Sequence, residues 1–310
     1  HPSHVSLPDH RERTMRIYDS VIRNGKVSTN DGEIPIHSMG DAVPMDIQEV
    51  HDWWHSQPPG VQYNMADLGP CIPPFPKTFM EWRCPSVTPA EDIPQNTFAP
   101  TREGASITST RLEDNEGWIV RMQPFAMTPE GQVRIEPEGC IVHANSDGIA
   151  RGYNMAPTGH LTGEFVDDYD RRCAERLGIA VAVFTETRRQ NTKEICFEAS
   201  LACVFANCKN VELREEPKRH TTKAIRRRHG EPVQYRVIRL PYTGKRRPDG
   251  RAEIADDGAV PLHMVRGHFK TYTPEKPLFG RMTGTYWWAH HLRGDESAGV
   301  VHHDYEVGPV

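Results

Sequence analysis

Several familiar signatures are missing from this 310-residue chain, and each absence removes a class of function. No CxxC pair occurs, and the cysteine count is odd, at seven. That set supports neither a disulfide framework nor a zinc ribbon; reduced, partly buried thiols of a cytoplasmic protein are the simpler expectation. The longest apolar run, Ile195 to Cys208, is too short to span a bilayer and is broken by Glu198, so no membrane segment is expected. No charged-apolar-small leader pattern opens the chain. Neither GxxxxGK[ST] nor GxGxxG appears, which argues against nucleotide hydrolysis and dinucleotide chemistry, and no cofactor is expected. No repeat of fixed period and no low-complexity linker marks a domain boundary.

What is present points to a globular protein of short elements. Charged residues make up 25% and the hydrophobic set 37%, outside the range of disordered chains. The 26 Pro and 24 Gly favour short strands and many turns over long helices. The net charge of -5 conceals an asymmetry: from Arg214 to Arg251 there are 13 Lys/Arg against 4 Asp/Glu.

Periodicity and capping signals predict the elements. Asp46 to Gln57 reads as a short helix with Asp46 as cap and Pro58-Pro59-Gly60 as its end. Lys77 to Cys84 alternates as a strand, and Ser106–Arg111, Gly117–Phe125 and Val133–His143 read as an antiparallel meander separated by turn residues. Asn145 to Thr162 reads as a Gly-rich loop and Asp167 to Leu177 as a helix closed by Gly178. Ile179 to Thr185 reads as a strand covered on both faces. Thr192 to Asn207 reads as a buried helix capped by Thr192. Val211–Leu213 and Gln234–Leu240 are expected strands, and Pro217 to His229 an expected basic helix. Two strands, His263–Thr271 and one through Thr285–Arg293, and a last strand at Val300–Val307 complete the set. The expected fold class is α+β, mostly antiparallel sheet with few helices. Residues 1–70 read as an N-terminal extension carrying the 46–57 helix, and 71–310 as the main body, with a possible subdivision near 160.

Three stretches carry a resemblance. PPFPKTFMEW (Pro73 to Trp82), LACVFANCKNVEL through RRRHGEP (Leu201 to Pro232), and HMVRGHFKTY…LFGRMTGTYWWAHHLRG (His263 to Gly294) are similar, in this order, to a family of uncharacterised bacteriophage and prophage-associated proteins. The resemblance spans roughly residues 70 to 307. It implies a phage setting and expression in the host cytoplasm, and carries over no activity.

The residues themselves offer four candidate sites. In the terminal stretch, alternation places Arg266, His268 and Lys270 on one strand face and His291 and Arg293 on one face of the next. If these faces meet, Arg266, Lys270 and Arg293 suit a phosphodiester, and His268 with His291 suits metal-free acid–base cleavage. Lys218, Arg219, Lys223, Arg226, Arg227 and Arg228 would encircle the basic helix, and with Lys245, Arg246 and Arg247 would form an electrostatic footprint for nucleic acid. His51 and His55 have the i,i+4 spacing of zinc proteases, but Asp52 stands where that motif has Glu and no third ligand is evident, so no metal is expected. Trp53 and Trp54 are expected to anchor this helix. Glu81, among aromatic neighbours, is either an acid with a raised pKa or the partner of an Arg. The leading expectation is a phage-type accessory protein that binds nucleic acid, RNA or DNA, or another polyanion, through a basic surface, with the balance against an enzyme but the question left open. A metal-independent nuclease using His268 and His291, and a virion component or host-factor binder with a protein partner, are the alternatives. The sequence leaves oligomeric state open.

Overall fold

The fold is given by a computed structural model. It describes residues 16–24, 26–29, 32–35, 39, 41–57, 68–84, 100–113, 116–157, 163–216, 233–241, 261–265, 267–288, 291–293 and 295–300. The expected basic helix at Pro217–His229 lies outside the described residues, as do Lys245, Arg246, Arg247 and Arg266.

An 11-stranded sheet dominates, its main path running β10-β11-β3-β4-β5-β6-β7-β1-β2. Its central strands are β4 (Lys77–Arg83), β5 (Arg102–Arg111), β6 (Gly117–Met127) and β8 (Glu138–Asn145), all antiparallel to their neighbours in that group. The predicted meander is therefore present, with Val133–His143 divided into β7 (Val133–Ile135) and β8. β1 (Lys26–Thr29), β2 (Gly32–Pro35) and β3 (Val43–Asp46) belong to the same sheet, as do β10 (Glu212–Glu215) and β11 (Arg236–Arg239).

The sheet is mixed, more than the expectation allowed. β3 runs parallel to both β4 and β11, and β1 runs parallel to β7. The β3–β4 pair has a simple cause. Helix α2 (Gln48–His55) sits between these strands in the chain, and a strand–helix–strand crossover returns the second strand parallel to the first.

Helix α4 (Val181–Asn207), 27 residues and about 40 Å long, crosses the sheet. Its second half is apolar nearly all round and lies at the centre of the larger core, with Leu201, Val204 and Phe205 against Met45, Trp82, Ile107, Val120 and Met122. A smaller core on the other face holds helix α1 (Ile17–Asn24) against Phe79, Phe125 and Tyr235. The period-2 alternation of β4 decides this division: Met80 and Trp82 face α4, while Phe79 and Glu81 face α1.

Glu81 is wholly buried and accepts three hydrogen bonds, from Ile17 N (2.9 Å), Arg102 Nε (3.0 Å) and Tyr235 Oη (2.7 Å). Burial pushes its pKa up and the partners pull against that. The Arg pairing is thus realised, through Arg102, in a site that knits α1 to the sheet.

Three expectations change. Ile179–Thr185 is not a covered strand but the start of α4, with Val181 and Val183 exposed. A seven-residue apolar run does not separate a buried strand from a helix by itself, and here it runs in helical register into Glu186–Asn207. Thr192 is consequently a buried mid-helix residue and not a cap. Within the expected Asn145–Thr162 loop, Ala150–Pro157 forms strand β9, paired with β8 across a turn, and residues 158–162 lie outside the described residues. Asn145 builds that turn by accepting from Asp147 N (3.0 Å) and Ile149 N (2.9 Å), with Gly148 at φ +83. Helix α3 (Gly163–Leu177) ends as predicted: Gly178 is left-handed, and Ile179 N reaches back to Ala174 O.

The terminal stretch also differs. The two long strands are four: β12 (Pro261–Val265), β13 (His268–Tyr272), β14 (Gly284–Trp288) and β15 (His291–Arg293). The break falls at Gly267, where the Trp287 ring lies so close that a Cβ would stand 2.6 Å from it. β12 also pairs in parallel with β16 (Asp295–Val300).

The seven cysteines are all free thiols. Among the described residues no helix is long and apolar enough to cross a membrane.

Candidate metal centre

Helix α2 presents the chemically loaded face. Its start is held by Asp46, whose Oδ1 accepts from Gln48 N at 3.0 Å, and by Gln48, whose Oε1 accepts from Arg83 N at 2.8 Å. The cap position is Ile47, which makes no side-chain cap bond, so Asp46 is not the N-cap expected; it steadies the start of α2 from one residue earlier, at the last position of β3. At the other end Ser56 Oγ donates to Trp53 O at 2.7 Å. Trp53 packs edge-on against Phe205 (5.2 Å between centroids) and Trp287 (4.9 Å), and Trp54 against Phe197 (4.9 Å). The two Trp residues anchor α2, as the sequence suggested.

With that helix fixed, the i,i+4 spacing stacks the imidazoles of His51 and His55 one turn apart, with ring centroids 4.3 Å apart. Between them and the body stands Glu198 of α4. Its Oε2 lies 2.7 Å from His51 Nδ1 and its Oε1 lies 2.9 Å from His55 Nε2. His51 and Glu198 are buried, while the His55 side chain is 57% exposed. The cluster opens on a cleft of about 540 Å³ lined by Gln48, His51, Asp52, His55, Ser56, Arg83 and Cys84.

The electrostatics reflect this geometry. Burial alone would push Glu198 up; the hydrogen bonds from His51 and His55 outweigh it, and the carboxylate is held below its ordinary value. The Glu198 hydrogen bond raises His55 in return. Glu103 of β5 stands across from Trp82 of β4, on the sheet face toward α2 and α4. Burial and the Glu198 charge push its carboxyl up to about 7. The Cys84 thiol bonds to it and is itself pushed well up, by burial first and then by Glu103.

One ligand atom from each of His51, His55 and Glu198 can be chosen so that all lie within 4.8 Å of one another, a set that can hold a metal ion. Two imidazoles and one carboxylate suit zinc and its neighbours. At metal–ligand bonds near 2.0–2.2 Å, tetrahedral donors stand about 3.3 Å apart, so ligation spreads the present hydrogen-bonded contacts by only about half an ångström. The sequence expectation of no metal rested on the lack of a third ligand, and Glu198 supplies that group. Its signal was in view as the one charge interrupting Ile195–Cys208: a carboxylate in a buried helix needs a partner. Glu103 had no sequence signal, since the expected strand began at Ser106 and the structure extends it back to Arg102.

The other sequence candidates fall elsewhere. His268 is exposed and sits opposite Trp288, and exposed Lys270 sits opposite Tyr286, with its Nζ 5.1 Å from the Tyr272 ring centroid. His291 sits opposite Val265 and Arg293 opposite His263. The structure thus sets His268 and His291 in two different strand pairs and does not make them cross-strand neighbours; the side chains of His291 and Arg293 lie outside the described residues. Lys218, Arg219, Lys223, Arg226, Arg227 and Arg228 lie outside them as well.

The chain matches no protein-family model, and no curated protein or solved structure shows a similarity to it.

Proposed function

We propose that the cleft between α2 and the end of β4, backed by Glu198 of α4, is a divalent-metal centre of the zinc type and that the protein is a metal-dependent hydrolase. The observation that carries this reading is the convergence of His51, His55 and Glu198 at an open cleft. These three residues would hold the ion, and the cleft leaves room for a fourth, exchangeable position. A zinc-type ion in such a site supplies Lewis acidity and lowers the pKa of nearby water to about 7.

The chain's own residues supply the rest. Glu103, its carboxyl pushed up by burial and by the Glu198 charge, stands against Cys84 behind the cleft wall and is placed to carry a proton. Asp52 is the next residue after His51 and also lines the cleft, but it accepts from Gln48 Nε2 at 2.9 Å. That bond commits it to the helix start, so Glu103 is the preferred proton carrier. Arg83 is the cationic lining residue and suits an anionic or carbonyl-bearing substrate.

Zinc titration followed by calorimetry and metal analysis tests the reading. One zinc per chain is expected, with a rise in melting temperature that grows with free zinc and disappears in His55→Ala. A chain that retains no zinc and shows no thermal shift overturns it.

A second reading has its own observation. The 2.7 and 2.9 Å contacts already make His51–Glu198–His55 a complete hydrogen-bonded clamp between α2 and α4. Under this reading His51→Ala destabilises the fold and zinc is irrelevant. The nucleic-acid reading of the basic segments stands as a separate proposal, supported by the exposed cations of the β13–β14 ribbon.

A further inference from the structure

The β13–β14 ribbon ends in two stacked tight turns. Lys276 N donates to Thr273 O, and then Leu278 and Met282 exchange hydrogen bonds of 2.8 and 2.9 Å around a five-residue loop. Phe279 stands at the apex of that loop with φ +51 and 79% of its surface exposed. Both facts count against it as a folding residue. A bulky side chain in the left-handed region is strained, and glycine, the next residue at Gly280 with φ +72, is what that conformation favours. The ring buries too little to offset the strain.

The surroundings give the ring a context. Lys270, Lys276 and Arg281 are exposed on the ribbon, and Lys209 runs along its base, its side chain 3.1 Å from where a Cβ on Gly284 would be. Against four cations there is one exposed acid on the ribbon, Glu275, whose carboxylate is engaged by Thr273. Cations flanking a solvent-facing aromatic match a partner with regularly spaced negative charge and flat faces to stack on. A single strand offers both; in a duplex the bases are already stacked, and an acidic peptide offers the charge without the faces.

We propose that the β13–β14 ribbon binds single-stranded nucleic acid, with Phe279 at its tip stacking on a base, Lys276 and Arg281 of the turns meeting the nearest phosphates, and Lys270 and Lys209 meeting phosphates further along the strand toward the ribbon's base. The ribbon is fixed to the body through Trp287, which packs on Trp53 of α2. The inference does not rest on a metal in the cleft beside α2.

The test is fluorescence anisotropy with a labelled oligo-dT 20-mer and a duplex of the same length, over a salt series and with EDTA present. EDTA keeps this result separate from that of the metal titration. Expected are binding of the single strand in preference to the duplex and a negative salt slope. Phe279→Gly should lower affinity about tenfold, within the range stacking contributes, with a melting temperature no lower than the parent's. Phe279→Trp should retain binding. Arg281→Ala should reduce the log–log salt slope by about 0.7, one phosphate contact on a single strand. Absence of binding at 50 mM salt, equal affinity of parent and Phe279→Gly, or a Phe279-dependent complex with an acidic protein in place of the oligonucleotide overturns the proposal.

Discussion

His51 and Glu198 are 147 residues apart in the chain and 2.7 Å apart in the fold. The contact joins a crossover helix, placed by the parallel β3–β4 pair, to the long helix that spans the sheet. It is also what turns an i,i+4 histidine pair into a three-donor site. The two histidines differ in burial, and that difference separates structure from metal binding.

His55→Ala should leave the metal-free fold nearly intact, at a cost below about 1 kcal/mol, because most of the side chain already faces water. His51→Ala removes a buried ring and leaves the buried Glu198 with one partner, at a cost of about 3 kcal/mol. Urea unfolding in EDTA measures both. Similar costs for the two variants would show that the burial difference has no energetic consequence.

Glu81→Ala is expected to be among the most damaging substitutions outside the cleft. It leaves the Arg102 guanidinium, Tyr235 hydroxyl and Ile17 amide buried without their acceptor, for about 3–5 kcal/mol. Tyr235→Phe should cost only about 1–2 kcal/mol, since the acceptor keeps two other donors, Ile17 N and Arg102 Nε. Chemical denaturation of the two variants gives the comparison.

Arg188 does for the helical pair what Glu81 does for α1. Its guanidinium meets both oxygens of Asp170 on α3, at 2.6 and 2.9 Å, and Glu138 of β8 at 2.7 Å. Arg188→Ala should cost about 3–5 kcal/mol and raise amide exchange first in α3, which loses its charged tie to the sheet. Arg188→Lys keeps the charge but not the fork and should recover only part. Uniform exchange protection in the Ala variant would refute the local role.

Glu103 carries a pH signature. Its folded value, about 7, lies above the unfolded value near 4.5. Between those values the native state holds a proton that the unfolded chain has released, so stability falls as pH rises, by up to about 1.4 kcal/mol per unit. Above the folded value the penalty is constant. Glu103→Gln removes it, so the melting-temperature gap between this variant and the parent should widen from pH 5 to 7.5 and then level off. A gap independent of pH would refute the raised value.

Legibility in the sequence tracked the range of the interactions. β4, β5 and β6 were readable from their short alternating or β-branched runs between turn residues, although β4 and β6 bury side chains on both faces. α2 was readable from its turn residues and from Asp46, which does steady its start. The first turns of α4 were not, because an apolar run without a visible partner has no period to show. Nor was the division of the terminal strands, since the Trp287 ring over Gly267 is a tertiary contact. The candidate site divides the same way. His51 and His55 were visible as a spacing, and Glu198 as an anomaly in a buried helix, but nothing local linked them.

By itself, then, the sequence determined the α+β class, the central antiparallel strands, the free thiols and the one helix face that carries paired imidazoles, because those depend on neighbours within a few residues. The tertiary structure decided the parallel crossover, the full length of α4 and the partner of the histidines. Glu198 meets them only because α2 and α4 pack on the same face of the sheet, through contacts more than a hundred residues apart that no local pattern encodes.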